Sequence, residues 1–248
     1  MPRTTEAGLP EQEPEPTIEP QTASEFEGDR ATAPVWDFPT RAFHWLLAAL
    51  IGFSWWTAEQ DELDWHLWSG YAVLSLVLFR LLWGLFGSST ARFANFVRGP
   101  GAVLGYLRDS RGWKPIGHTP LGALSVIALL GLTLLQVATG LVNSDDDGLV
   151  EGSLAPLVSG DLSDIAHDLH ELLFNVLLAF IALHVAAILF YRLVHGKRLV
   201  GPMISGRGPV EADTAPMRPG RWWAALLCLF AAIAFTRWIV AGAPPFGG

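Results

Sequence analysis

The sequence predicts an all-α membrane protein, a four-helix transmembrane bundle followed by a fifth transmembrane helix. Three observations lead there. Hydrophobic residues make up 51% of the chain and charged residues 16%, where soluble domains carry about a quarter charged. Five apolar runs, at 38–57, 66–86, 121–142, 169–194 and 222–241, are each near the ~20 residues that cross a ~30 Å hydrocarbon layer. Four histidines, His44, His66, His170 and His184, stand inside these runs, and an ionisable residue in a membrane span is costly enough to be a functional candidate.

Residues 1–34 differ from the rest. Pro-Glu-Gln-Glu-Pro-Glu-Pro and the acids up to Asp29 combine low hydrophobicity with negative charge, so this stretch is expected to be a disordered, solvated cytoplasmic tail. It lacks the apolar core of a signal peptide and is not expected to be cleaved as one.

The first run opens with Arg41-Ala-Phe-His-Trp-Leu-Leu and places Gly52 two turns after His44. The connection that follows holds Glu59, Asp61, Glu62 and Asp64 and no base. The second run opens at His66 in Trp65-His-Leu-Trp-Ser-Gly-Tyr, with Gly70 one turn on and Arg80 inside Leu76-Val-Leu-Phe-Arg-Leu-Leu-Trp. Glycine at these two places lets a flat cofactor approach the backbone. A charge as deep as Arg80 calls for an anionic partner, unless it snorkels to the interface. A basic connection with Arg92, Arg98, Arg108, Arg111 and Lys114 leads to His118, in Gly117-His-Thr-Pro-Leu-Gly at the start of the third run.

The next connection is acidic again, with Asp145, Asp146, Asp147, Glu151, Asp161 and Asp164 and no base. The fourth run begins in Asp164-Ile-Ala-His-Asp-Leu-His-Glu and contains both His170 and His184. Beyond it come His195, read as solvated, and Lys197, Arg198, Arg207, Arg218 and Arg221. The positive-inside rule puts the basic connections in the cytoplasm and the acidic ones outside, with the amino terminus inside and, after five spans, the carboxyl terminus outside. The lone Cys228 rules out an intrachain disulfide, a thiolate-ligated cluster and a Cys-x-x-Cys-His attachment, so any haem must be non-covalent b type.

Histidine spacing carries the functional reading. An α-helix rises about 1.5 Å and turns about 100° per residue, so His170 and His184 lie roughly 21 Å apart along one helix and about 40° apart around it. One face therefore offers metal ligands at two depths. His44, at the cytoplasmic start of the first run, matches the depth of His184. His66, at the outer start of the second, matches His170. His167 is rotated about 100° from the His184 face, which assigns it to the surface or to a haem propionate. Two bis-histidine b haems stacked across the membrane are the expected arrangement, with Arg80 toward an inner propionate and His118 as an interfacial residue or a propionate or quinone contact.

The run His44-Trp45, the His66-x-x-x-Gly70 element, Gly117-His-Thr-Pro-Leu-Gly, Gln136-Val-Ala-Thr-Gly140, His170-Glu171 and Leu183-His184-Val together resemble the bacterial cytochrome b561 and nickel-iron hydrogenase cytochrome b subunit family. The resemblance spans about 35–206 and leaves 207–248 as a linker and the fifth helix. It implies two haem b groups, with helix one paired to the deeper histidine of helix four and helix two to the earlier one. It also implies electron transfer in the bacterial inner membrane between quinone and a periplasmic partner: a c-type cytochrome, a hydrogenase or another dehydrogenase. A superoxide:quinone oxidoreductase is the nearest alternative, and a haem-free scaffold or transporter the alternative from another class. Bis-histidine ligation fills both axial positions and suits electron transfer. The acidic balance offers nothing to nucleic acid.

Overall fold

In the computed structural model the described residues are 30–109, 116–144, 151–211 and 214–245. The acids up to Asp29, the bases Arg111 and Lys114 and the acids Asp145, Asp146 and Asp147 lie outside them. The chain runs β1 (Arg30–Pro34), α1 (Phe38–Glu59), α2 (Leu63–Phe86), two short helices α3 (Phe93–Phe96) and α4 (Pro100–Arg108), then α5 (Pro120–Val142) and α6 (Gly160–Val194). α7 (Val200–Ser205), β2 (Arg207–Glu211) and α8 (Trp222–Val240) complete it.

The long helices start where the sequence supplies caps. Asp37 accepts from the Thr40 amide at 2.7 Å, Thr119 from Gly122 at 3.1 Å and Ser159 from Leu162 at 3.4 Å. Proline follows in the first turn of α1 and α5, where its missing N–H has no helical partner to lose. α1 turns into α2 through the Thr57 carbonyl, which accepts from both Gln60 and Glu62.

Helices α2, α5, α6 and α8 are long and apolar enough to cross a membrane. α1 has the length, at 22 residues, but Arg41, His44 and the tryptophans Trp45, Trp55 and Trp56 lower its apolarity below that of the other four. α2 is the central element, packed against α1, α5 and α8, while α5 packs on α6. The buried core joins Phe43, Phe79, Trp83, Ala91, Leu130, Cys228 and Ala232. Small residues on α8 allow its close approach to α2, where Ser75 also donates to Thr236 at 2.9 Å, the kind of packing that substitutes for a hydrophobic drive inside lipid.

Two features correct the sequence reading. Residues 30–34 belong to a strand rather than to a disordered tail, and 207–211 are its partner rather than linker. β1 and β2 pair antiparallel, Arg30 opposite Glu211 and Pro34 opposite Arg207. The pairing continues into α1, because the Gly206 carbonyl accepts from Val35 and Trp36. Arg41 donates to the Ile204 carbonyl and Trp45 to that of Met203 at 3.2 Å. The start of α1 is thus fastened to the segment that follows α6.

Trp83, 1% exposed, donates to Asp37 at 3.1 Å. Trp83→Ala is expected to cost about 3–5 kcal/mol. Trp83→Phe keeps most of the volume and removes the donor, at about 1–3 kcal/mol. Unfolding in detergent measures both, and equal losses would mean that the hydrogen bond carries the whole effect.

Candidate haem sites

The four histidines come together as two pairs drawn from three helices. His66 of α2 faces His170 of α6 with ring centroids 6.0 Å apart. His44 of α1 faces His184 of α6 at 6.5 Å. A metal–imidazole bond runs about 2.0 Å and the ring centroid lies about 1.1 Å beyond the nitrogen, so two rings in trans on one metal stand about 6 Å apart. Both pairs have that separation. Among the described residues no group of three or more His, Cys, Asp or Glu gathers into a metal site, so a metal here would draw its remaining ligands from a group such as a porphyrin.

The ring nitrogens are held in a definite order. His66 Nδ1 lies 2.9 Å from the Ser54 carbonyl. His170 Nδ1 lies 3.0 Å from the Gln136 carbonyl and 3.2 Å from Thr139 Oγ1. His184 Nδ1 lies 3.2 Å from Ser125 Oγ. A proton fixed on Nδ1 leaves Nε2 as the free donor atom, the usual way a ligating histidine is oriented. His44 Nδ1 is buried and has no such partner among the described residues.

A cavity of about 620 Å³ opens beside the His66/His170 pair. Gly70 and Gly140 line it with Tyr71, Thr133 and Phe174. A Cβ at Gly70 would meet open space, whereas one at Gly140 would stand 2.9 Å from His170 Cε1. Gly52 is exposed, with open space around it, and is not part of this wall. His167 reaches the cavity too, but its Nδ1 is 3.1 Å from Asn143 Oδ1 and its Nε2 3.9 Å from Glu171.

Arg80 does not snorkel. It is 2% exposed, lies 4.8 Å over the Phe93 ring, and its Nη1 is buried without a hydrogen-bond partner. Asp37 is the carboxylate whose charge acts on it. His118 lies between Trp36 and Phe96, its ring tilted against both at centroid distances of 4.5 and 4.4 Å, with Nδ1 likewise unpartnered among the described residues. Burial first, then the Arg80 charge, pushes His118 down to about 3, so its ring is neutral at physiological pH. His195 is exposed and lies 5.4 Å from the Tyr191 ring.

The family model for prokaryotic cytochrome b561 matches residues 35–206. The chain belongs to that family. No curated protein and no solved structure matches it. As a cytochrome b561 it is a multi-pass membrane protein that carries b-type haem and moves electrons across the bilayer. The matched segment contains both histidine pairs and the cavity, and it ends before β2 and α8.

Sequence reasoning missed Ser54, Ser125 and the Gln136 carbonyl as partners of the histidines, because nothing in a serine's local context names the helix it will face. Gly140 had a signal, as the last residue of Gln136-Val-Ala-Thr-Gly140. Gly140→Val should displace the His170 ring and lower the haem-to-polypeptide ratio, while Gly52→Ala should leave it unchanged. Absorbance of the two purified variants checks this, and full haem content in Gly140→Val would remove Gly140 from the site.

Proposed function

We propose that this cytochrome b561 holds two b haems, one between His66 and His170 and one between His44 and His184, and passes electrons between membrane quinone and a periplasmic redox protein. The reading rests on one observation above all: two facing imidazole pairs, each at the separation a single iron requires. A haem held by either histidine pair would supply one-electron chemistry, with His66 and His170 or His44 and His184 as its protein ligands. The protein residues set where that happens. Ser54, Gln136 and Ser125 orient three of the rings, and Gly70 and Gly140 let a porphyrin approach the helices. Arg80, with a buried unpaired N–H, stabilises a propionate on the His44/His184 side, and His118 contributes a second polar contact there. The fit at the other pair is supported by the cavity of about 620 Å³ beside it.

The same reading makes α1 a span alongside α2, α5, α6 and α8, in the inner membrane of a bacterium. The segment before α1 lies in the cytoplasm and the segment after α8 outside. Lysine and arginine fall in the connections at the start of α1 and the ends of α2 and α6, as the positive-inside rule requires. At the opposite end Glu59, Asp61, Glu62, Asp64, Glu151, Asp161 and Asp164 are exposed. They suit a partner with a basic patch around its redox centre, such as a c-type cytochrome or the electron-transfer subunit of a hydrogenase or other dehydrogenase.

Single alanine variants test the pairing. His44→Ala and His184→Ala should remove the same component of the low-temperature α-band spectrum, His66→Ala and His170→Ala the other, and His167→Ala neither. The pairing is falsified if His44→Ala and His184→Ala deplete different components. A purified protein without Soret or α bands would instead point to a scaffold.

Arg80→Leu should lower the occupancy or shift the potential of the His44/His184 site and leave the other site as it was. Two unchanged titration waves would reduce Arg80 to a packing residue. Electron transfer to a basic c-type cytochrome should slow as ionic strength rises, and a rate indifferent to salt would count against steering by the acidic face.

A further inference from the structure

Helix α8 lies outside the segment that the family model covers, and with α2 it makes a second concave site. Its Cys228 and Ala232 are part of the buried core. Nearer the end that carries Glu59, Asp61, Glu62 and Asp64, the two helices leave a groove of about 210 Å³ between them. Trp68 and Ala72 of α2 and Ile233 and Val240 of α8 wall it, and Arg237 stands among them. The two hydroxyls in the groove, Ser75 and Thr236, are 2.9 Å apart and hydrogen-bonded to each other. Its interior is therefore a surface for hydrocarbon.

Arg237 is exposed, and its guanidinium has no hydrogen bond or ion pair among the described residues. It is also alone in sign. The stretches 58–66, 143–166 and 238–248, which make up this end of the bundle, hold no lysine or arginine. Acids are plentiful there, yet none pairs with Arg237 among the described residues. The residue belongs to the last turn of α8 and is followed by Trp238, whose Nε1 donates to the Pro244 carbonyl at 2.9 Å. Tryptophan and arginine at the end of a span sit at the level of lipid headgroups, where phosphate is the abundant anion.

We propose that this groove seats one phospholipid, its phosphodiester on Arg237 and part of an acyl chain between Trp68 and Ile233. Unpaired positive charge meets the phosphate in charge-assisted hydrogen bonds, and the apolar walls below it take the chain. Tyr71 lines both this groove and the cavity beside His66 and His170, and its hydroxyl is hydrogen-bonded to Ser153. A lipid in the groove therefore braces one wall of that cavity. This last consequence rests on the haem assignment proposed above, whereas the lipid seat does not.

The test is native mass spectrometry of the full-length holoprotein, titrated in detergent with phosphatidylglycerol or with diacylglycerol of the same chains. One tightly held phosphatidylglycerol is expected, and diacylglycerol should bind more weakly. Arg237→Gln should weaken phosphatidylglycerol about five- to tenfold, Arg237→Lys should keep most of the affinity, and Ile233→Trp, which fills the groove, should exclude both lipids. Inorganic phosphate should not compete, since it gains nothing from the apolar walls. Parent protein and Arg237→Gln that hold phosphatidylglycerol equally well would overturn the seat, as would diacylglycerol bound as tightly as phosphatidylglycerol. Thermal release of haem, followed in the Soret band, tests the bracing: phosphatidylglycerol should raise the release temperature of the parent and not that of Arg237→Gln. Lipid bound with no change in release would overturn the bracing. A protein that binds the lipid but contains no haem would overturn the haem assignment instead.

Discussion

The carboxylate of Asp37 stands at a junction on which the bundle depends. One oxygen caps α1 through the Thr40 amide and the other accepts from Trp83 Nε1 in the middle of α2, while its charge acts on the buried Arg80. A carboxylate 9% exposed is costly unless its lone pairs are used and an opposite charge is near, and here both conditions are met. The result fixes the rotation and height of α1 against α2. His44 is two turns further along α1, so its position toward His184 follows from that junction more than from any contact of its own.

The rest of the bundle is arranged around separations rather than close packing. α1 lies on α2 and α5 on α6, and α1 and α6 are not among the closely packed helix pairs although they face each other through His44 and His184. Aromatic contacts span the same gap further along, as Trp55 and Phe174 stack at 6.5 Å. Leaving room there costs packing energy, and α2 recovers some of it on its other side, where α8 brings Cys228, Ala232 and Thr236 into contact.

What could be read from the sequence was what the helix makes periodic. Fourteen residues on a continuous α6 put His170 and His184 on one face without knowledge of any neighbour, and the five apolar runs marked the five long helices, α1 included. The depth argument matched His66 to His170 and His44 to His184, and the structure brings those same rings together. The first run was harder, since its tryptophans and His44 dilute the apolar signal that its 22 residues would otherwise give. Partners that depend on how helices are rotated against one another were not legible. Ser54 and Ser125 carry no local mark of the imidazole each will meet, and Asp37 reads as an ordinary cap until Trp83 and Arg80 are beside it. The β1–β2 pairing was hidden for a different reason: five-residue strands separated by nearly the whole chain have no periodic signature, and one lay at the edge of a charged, proline-rich stretch.

That pairing also imposes a schedule on assembly. β1 is made before any of the long helices, yet its partner leaves the ribosome only after α6 is complete. Until then α1 is held by α2 alone, and the hydrogen bonds from Arg41 and Trp45 to the α7 segment cannot form. The His44/His184 end therefore closes only after α6 is in place, like a clasp fastened after the contents are in, and a cofactor entering between α1 and α6 does so in the interval between completion of α6 and the docking of α7 and β2.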